Sequence, residues 1–289
     1  MQFSIGTNAS ILFMLLITSS CDYINPSERI PSYIQIDSIL LEHEESLGIS
    51  DAWVYVNTEL IGVFELPATI PVLTEGMADI MISGGIKVNG MSSSRTFYPF
   101  YESYRVSKEL KSAEVITINP TIGYDNALAQ IPWKENFDEG AIKFEHDTTI
   151  KYGFIKDSQA PIEGNFCGLI EMDSSTNLFY EVSVDEIAKP ENITQGYFLE
   201  MNFKSDIVFN LTLIINNKSE IVQIPLVEFN PTKEWKKIYL DLYATLSAYP
   251  TGTKFKVSLN NYNYATNSAL EQSLVLNPKI WIDDIKIVQ

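Results

Sequence analysis

From Tyr197 onward the chain alternates apolar and polar residues with a period of two. Tyr197, Leu199, Met201 and Phe203 stand against Glu200, Asn202 and Lys204, and Ile207, Phe209, Leu211, Leu213 and Ile215 form a second row. Phe255, Val257 and Leu259 alternate with Lys254, Lys256 and Ser258 in a third. Successive side chains of a strand point to opposite faces, so each row predicts a strand with one face on a core. Six or so such strands predict stacked antiparallel sheets, and the length of this half suits a jelly roll. The first half carries shorter signals. Tyr33–Ile39, Ala52–Val56, Leu60–Phe64 and Ala78–Ile82 are β-branched or aromatic runs bounded by Gly, Pro, Asn and Asp. Asn57-Thr58-Glu59 reads as a turn between two of them, and Pro67 and Pro71 break the pattern after it. No long helical period is present in this half. The fold class this pattern predicts is all-β, with two β-sandwich domains.

The same pattern divides the chain. Residues 1–20 carry the unbroken apolar run Ile11–Ile17 and read as an export signal. Seven apolar residues are too few for a membrane-crossing helix, which needs about 20. Residues 21–31 are polar with two prolines and read as a tether. Residues 32–120 form the small sandwich, 121–132 a linker rich in turn residues, and 133–289 the larger sandwich. In the last strand Trp281, Asp283, Ile285 and Ile287 share one face, and Ile280, Ile282, Asp284 and Lys286 the other. With the Trp281 face on the core, Asp283 points inward, and a buried carboxylate is costly unless paired.

Composition narrows the function. The 37 acidic and 20 basic residues give a net charge of −17, which argues against nucleic acid as a partner. Two cysteines and two histidines exclude a disulfide scaffold and leave little material for zinc sites or catalytic triads. No nucleophile elbow, P-loop or dinucleotide fingerprint occurs, and no pair among the 37 acids is singled out for glycosidase chemistry. Most of these charges are expected on solvated faces. The expectation is a non-enzyme. Cys167 sits at the edge of an apolar run and is expected as a small buried hydrophobe. Phe97, Tyr98, Phe100, Tyr101 and Tyr104 crowd around Pro99. They either form a stacking platform or bury their rings against a sandwich.

Three resemblances add to this reading. Thr18-Ser19-Ser20-Cys21 after the apolar run resembles a bacterial lipoprotein signal of the Bacteroidetes type, although the segment before the run has no Lys or Arg. It implies that Cys21 is lipidated and anchors the chain to the outer membrane, on its periplasmic or cell-surface face. Val54-Tyr55-Val56-Asn57 through Leu60-Ile61-Gly62, then Leu66-Pro67-Ala68-Thr69, Glu75-Gly76 and Gly84-Gly85-Ile86-Lys87, resembles a PEGA-type β-domain, an adhesive or spacer module. Trp133-Lys134-Glu135-Asn136-Phe137-Asp138, Glu234-Trp235-Lys236-Lys237-Ile238 and Ile280-Trp281-Ile282-Asp283-Asp284-Ile285 resemble, in their order, the galactose-binding-like jelly rolls of carbohydrate-binding modules. That resemblance implies a structural calcium held by Asp138 and Asp283.

Tyr262 and Tyr264, with Asn261 and Asn263, combine stacking rings with amides in one loop and are the candidate ligand-binding residues. The expected function is a non-catalytic envelope lipoprotein that binds glycan. The alternative is a structural or adhesive envelope component that holds a partner protein.

Overall fold

The computed structural model describes residues 28–42, 48–147, 149–173, 178–192, 196–217, 219–263, 268–270 and 275–289. The apolar run, Cys21 and Tyr264 lie outside the described residues. The first body contains β1 (Ser32–Ile36), β2 (Leu40–Leu41), β3 (Asp51–Val56), β4 (Glu59–Glu65), β5 (Ala68–Val72), β6 (Gly76–Lys87), β7 (Arg95–Phe97), β8 (Tyr104–Leu110), β9 (Val115–Thr117) and β10 (Thr121–Ile122). β1 runs antiparallel to β5 and parallel to β9. β4, β3 and β6 lie side by side, and β7 and β8 both pair with β6. Ile34, Ile36, Val54, Ile70 and Ile82 fill the space between these sheets with no exposed surface.

Local chemistry explains the turns. β3 and β4 are joined by Asn57 and Thr58 at φ 50° and 69°. Two successive positive φ values are the geometry of a two-residue hairpin turn whose twist matches the strands. The side chain of Asn57 also accepts the Asp79 N–H at 3.0 Å, tying the turn to β6. Gly76 opens β6 at φ 85°, where a side chain would be strained.

The second body contains β11 (Trp133–Glu135), β12 (Phe144–His146), β13 (Ile155–Asp157), β14 (Cys167–Glu171), β15 (Tyr180–Ser183), β16 (Ile187–Ala188), β17 (Phe198–Ser205), β18 (Phe209–Asn216), β19 (Ile221–Phe229), β20 (Thr232–Asp241), the single turn α1 (Tyr243–Leu246), β21 (Lys254–Asn260), β22 (Tyr262–Asn263), β23 (Ser268–Ala269) and β24 (Lys279–Val288). One sheet has the order β13-β14-β24-β17-β20 with β11 beside β24; the other has the order β12-β15-β21-β18-β19 with β16 beside β21. Leu199, Met201 and Phe203 of the first belong to one buried cluster with Leu211, Leu213, Phe255 and Val257 of the second. The alternation read from the sequence therefore faces the core as expected, in an all-β sandwich.

The last strand differs from a plain period of two. Ile280 and Ile282 are in the core, and so are Ile285 and Ile287. The phase changes at a bulge, marked by Asp284 at φ 44° and by a register shift against Glu200–Asn202. An extra residue in one strand reverses which side chains face the core beyond it. Trp281 is consequently on the outer face, where its ring nitrogen donates to Asp157 at 3.2 Å.

The expected linker 121–132 is largely tied down. Thr121–Ile122 pair with Leu40–Leu41, Tyr124 bridges to Tyr101, and Gln130 exchanges two backbone hydrogen bonds with Gln289. Of the aromatic segment, Tyr98, Phe100 and Tyr101 are buried, against the other body, while Phe97 stays exposed. Tyr98 packs edge-on to Phe198 and Tyr239, and Tyr101 shares a 2.8 Å hydroxyl hydrogen bond with Tyr239.

Beneath these rings lies a buried ionic network. Glu200 accepts from the Tyr98 and Tyr124 hydroxyls and pairs with Lys237 at 3.1 Å. Asp284 pairs with Lys286 and with Lys134, the latter at 2.9 Å. Burial opposes the charge on Asp284, but the ammonium groups of Lys286, Lys237 and Lys134 outweigh it and hold its carboxyl well below the usual carboxylate range.

Candidate functional site

The site builds up from an irregularity in β19. This strand is the edge of its sheet, which is where a proline without an N–H is tolerated. Pro225 occupies such a position, paired with Thr212. The next pair is Leu211 with Val227, so Leu226 is an extra residue in a bulge. The bulge resets the alternation. Pro225 and Glu228 both end on the outer face, opposite Thr212 and Asn210.

The segment after β21 approaches that face. The Asn260 side chain reaches Thr212 and Ser258 with its NH2 group at 3.3 and 3.2 Å, while its oxygen accepts the Tyr262 N–H at 3.2 Å. Asn261 is fully buried, and its side-chain oxygen accepts the Phe179 N–H at 2.9 Å. It anchors the segment rather than facing solvent. The Asn210 amide donates to the Tyr262 carbonyl at 3.1 Å. Tyr262 is thereby fixed at its N–H and its carbonyl, half-buried, and lines a cleft of about 360 Å³ with Asn210, Pro225, Leu226, Glu228 and Leu270. Asn263 pairs with Ser268 through its backbone. The cleft offers one aromatic ring, one amide and one exposed carboxylate over an apolar floor.

Sequence reasoning singled out Tyr262 but missed Asn210, Pro225 and Glu228. The one available signal was Pro225 inside an apolar run, which marks an edge strand or a bulge.

Asp138 and Asp283 grip one loop from two sides. Asp138 accepts the N–H groups of Asn165 and Phe166 at 2.9 and 3.0 Å. Asp283 is fully buried and accepts from Ile162, Glu163 and Asp284 at 3.0, 3.2 and 2.8 Å. Burial pushes the Asp283 carboxyl up to about 7 in spite of those N–H groups. Gly164 sits between the two at φ 66°, where an added Cβ would lie 1.8 Å from an Asp138 oxygen. Backbone N–H groups thus already engage carboxylate oxygens that a cation would need as ligands. Among the described residues no group of three His, Cys, Asp or Glu side chains is placed to hold a metal ion. Cys167 lies nearby, fully buried, its thiol pushed up to about 12 by burial and by the charges of Asp283 and Asp157.

No protein-family model matches the chain, and no curated protein matches it. Solved structures do align with about half of it. The CBM22-1 xylan-binding domain of Paenibacillus barcinonensis Xyn10C is 9% identical, over 55% of this chain and 94% of that one, with a TM-score of 0.38. The C-terminal family 22 carbohydrate-binding module of Clostridium thermocellum Xyn10B is 9% identical, over 54% and 92%, with a TM-score of 0.34. The carbohydrate-binding module TmCBM61, solved with β-1,4-galactotriose, is 14% identical, over 50% and 85%, with a TM-score of 0.30.

Proposed function

We propose that this protein is a non-catalytic envelope lipoprotein whose larger sandwich holds glycan in the cleft beside Tyr262. The observation that carries the reading is the convergence of Tyr262, Asn210 and Glu228 over the floor of Pro225 and Leu226. A sugar ring has one apolar C–H face and a rim of hydroxyls. The tyrosine ring takes the face, while the exposed Glu228 carboxylate takes hydroxyls of the rim. The pairing of the Tyr262 backbone to Asn260 and Asn210 supports the reading, since a segment already tied down loses little backbone freedom on binding. The leader supplies the second half of the proposal. Acyl chains on Cys21 anchor a chain that is otherwise polar at that end, because each buried methylene contributes about 0.8 kcal/mol.

The test is retention on a polysaccharide array and in gels cast with polysaccharide. Tyr262→Ala is expected to abolish retention while the circular dichroism spectrum is unchanged. Equal retention of the variant overturns the site. Failure of the parent protein to retain any polysaccharide, combined with a crosslinked envelope protein, replaces the reading with the structural or adhesive one.

A further inference from the structure

A second cleft, of about 750 Å³, lies between the two bodies. One wall is the end of β6 and the turn after it, with Lys87, Asn89 and Ser92; the other is β20, with Trp235 and Lys236. Val227 and Glu228 line this cleft and also the one beside Tyr262. The fold explains the shared border. β19 is the edge of one sheet and β20 the edge of the other, and only Asn230 and Pro231 separate them. The two clefts therefore share Val227 and Glu228 of β19 as a common border. The second also has an aromatic residue in its lining, the half-buried Trp235, together with the charged residues Glu234, Lys236 and Lys87. The Tyr262 cleft alone is near the lower end of the range for small-molecule sites, about 300–1,000 Å³, and the pair together exceeds that range.

We infer that the two clefts form one groove that takes an extended polysaccharide chain several sugars long, with the first body supplying one of its walls. This rests on the glycan reading and deepens it. The first body then contributes to recognition instead of serving only as a spacer. Tyr262 marks the end that a short saccharide occupies, and Trp235 the end that only a longer chain reaches.

The experiment uses the full chain and oligosaccharide ladders from disaccharide to octasaccharide, prepared from xylan, β-1,4-galactan, glucomannan and bacterial capsular polysaccharide. Affinity for the ladder that binds is expected to rise about tenfold or more between disaccharide and hexasaccharide. Trp235→Ala is expected to remove that rise and leave disaccharide affinity unchanged. Ser92→Trp, at an exposed turn, plugs the cleft without touching either core and is expected to do the same. Tyr262→Ala weakens all lengths. Affinity that is flat with length, or hexasaccharide binding indifferent to both Trp235→Ala and Ser92→Trp while Tyr262→Ala abolishes it, overturns the groove and leaves the glycan reading standing. No retained saccharide of any length overturns both.

Discussion

Glu200 is the residue whose loss tests the join between the two bodies most directly. Its side chain has no exposed surface, and neither has that of Lys237, 3.1 Å away. Its Oε1 accepts from the Tyr98 hydroxyl of the first body, and its Oε2, which also faces Lys237, accepts from that of Tyr124. Glu200→Ala leaves the Lys237 ammonium group without that partner and two tyrosine hydroxyls without their acceptor. Removing one member of a buried pair costs about 3–5 kcal/mol. In a chain of this size each kcal/mol moves the Tm by about 2–4 °C, so a fall of about 6–20 °C is expected. Thermal unfolding followed by near-ultraviolet circular dichroism measures it, and limited proteolysis between Asp125 and Pro132 reports whether the bodies come apart. Two comparisons fix the cause. The double variant Glu200→Leu with Lys237→Met removes both charges and is expected to recover part of the loss, because apolar replacement of a buried pair is often neutral while the Tyr98 and Tyr124 hydroxyls still lose the Glu200 acceptor and Asp284 loses one of its ammonium neighbours. Lys254→Ala breaks the exposed pair with Glu186 and is expected to change little. If Glu200→Ala melts no lower than Lys254→Ala, the network does not hold the bodies together.

Further outcomes follow from other buried groups. Burial pushes the carboxyl of Glu181 up to about 7, against the N–H it accepts from Phe154. Between about pH 4.5 and 7 the unfolded chain releases that proton and the folded one keeps it, so stability falls as pH rises through this window. Glu181→Gln is expected to flatten the fall, by about 3 kcal/mol at most, in urea titrations run from pH 5 to 8. Gly164→Ala places a Cβ against Asp138 in a left-handed conformation and is expected to cost about 1–3 kcal/mol in the same assay. Because the Asp138 and Asp283 oxygens hold N–H groups, EDTA is expected to leave the Tm unchanged; a rise on adding calcium would mean that a cation takes the place of those donors. Cys21→Ser is expected to move the protein from the membrane fraction to the soluble one, and an unchanged distribution would remove the anchor.

Much of the larger sandwich was legible because its strands obey a simple period. Tyr197–Phe203, Ile207–Ile215 and Lys254–Leu259 all place their apolar members in the core, where alternation puts them. β24 escaped that logic at Asp283–Asp284, since a one-residue bulge leaves no trace in composition. The charge on Glu200 was read as solvated, with most of the acidic residues, because it sits opposite an apolar row. A strand cannot reveal that a second body covers its other face. For the same reason the rings around Pro99 could be read as burying against a sandwich, while the identity of that sandwich stayed hidden. At the site, Tyr262 was visible as an aromatic in a polar loop. Glu228 was not, because its orientation depends on the extra residue at Leu226.

The double exchange between Gln130 and Gln289 has a mechanical meaning. Together with the bridge from Val88 to Tyr239 it fastens the first body to the second at separate points along the seam. Two attachments set apart resist twisting as well as separation. Whatever pulls on β1 therefore turns the whole particle, and the direction in which Tyr262 looks out is set by the attitude of the first body, not left to a swivel.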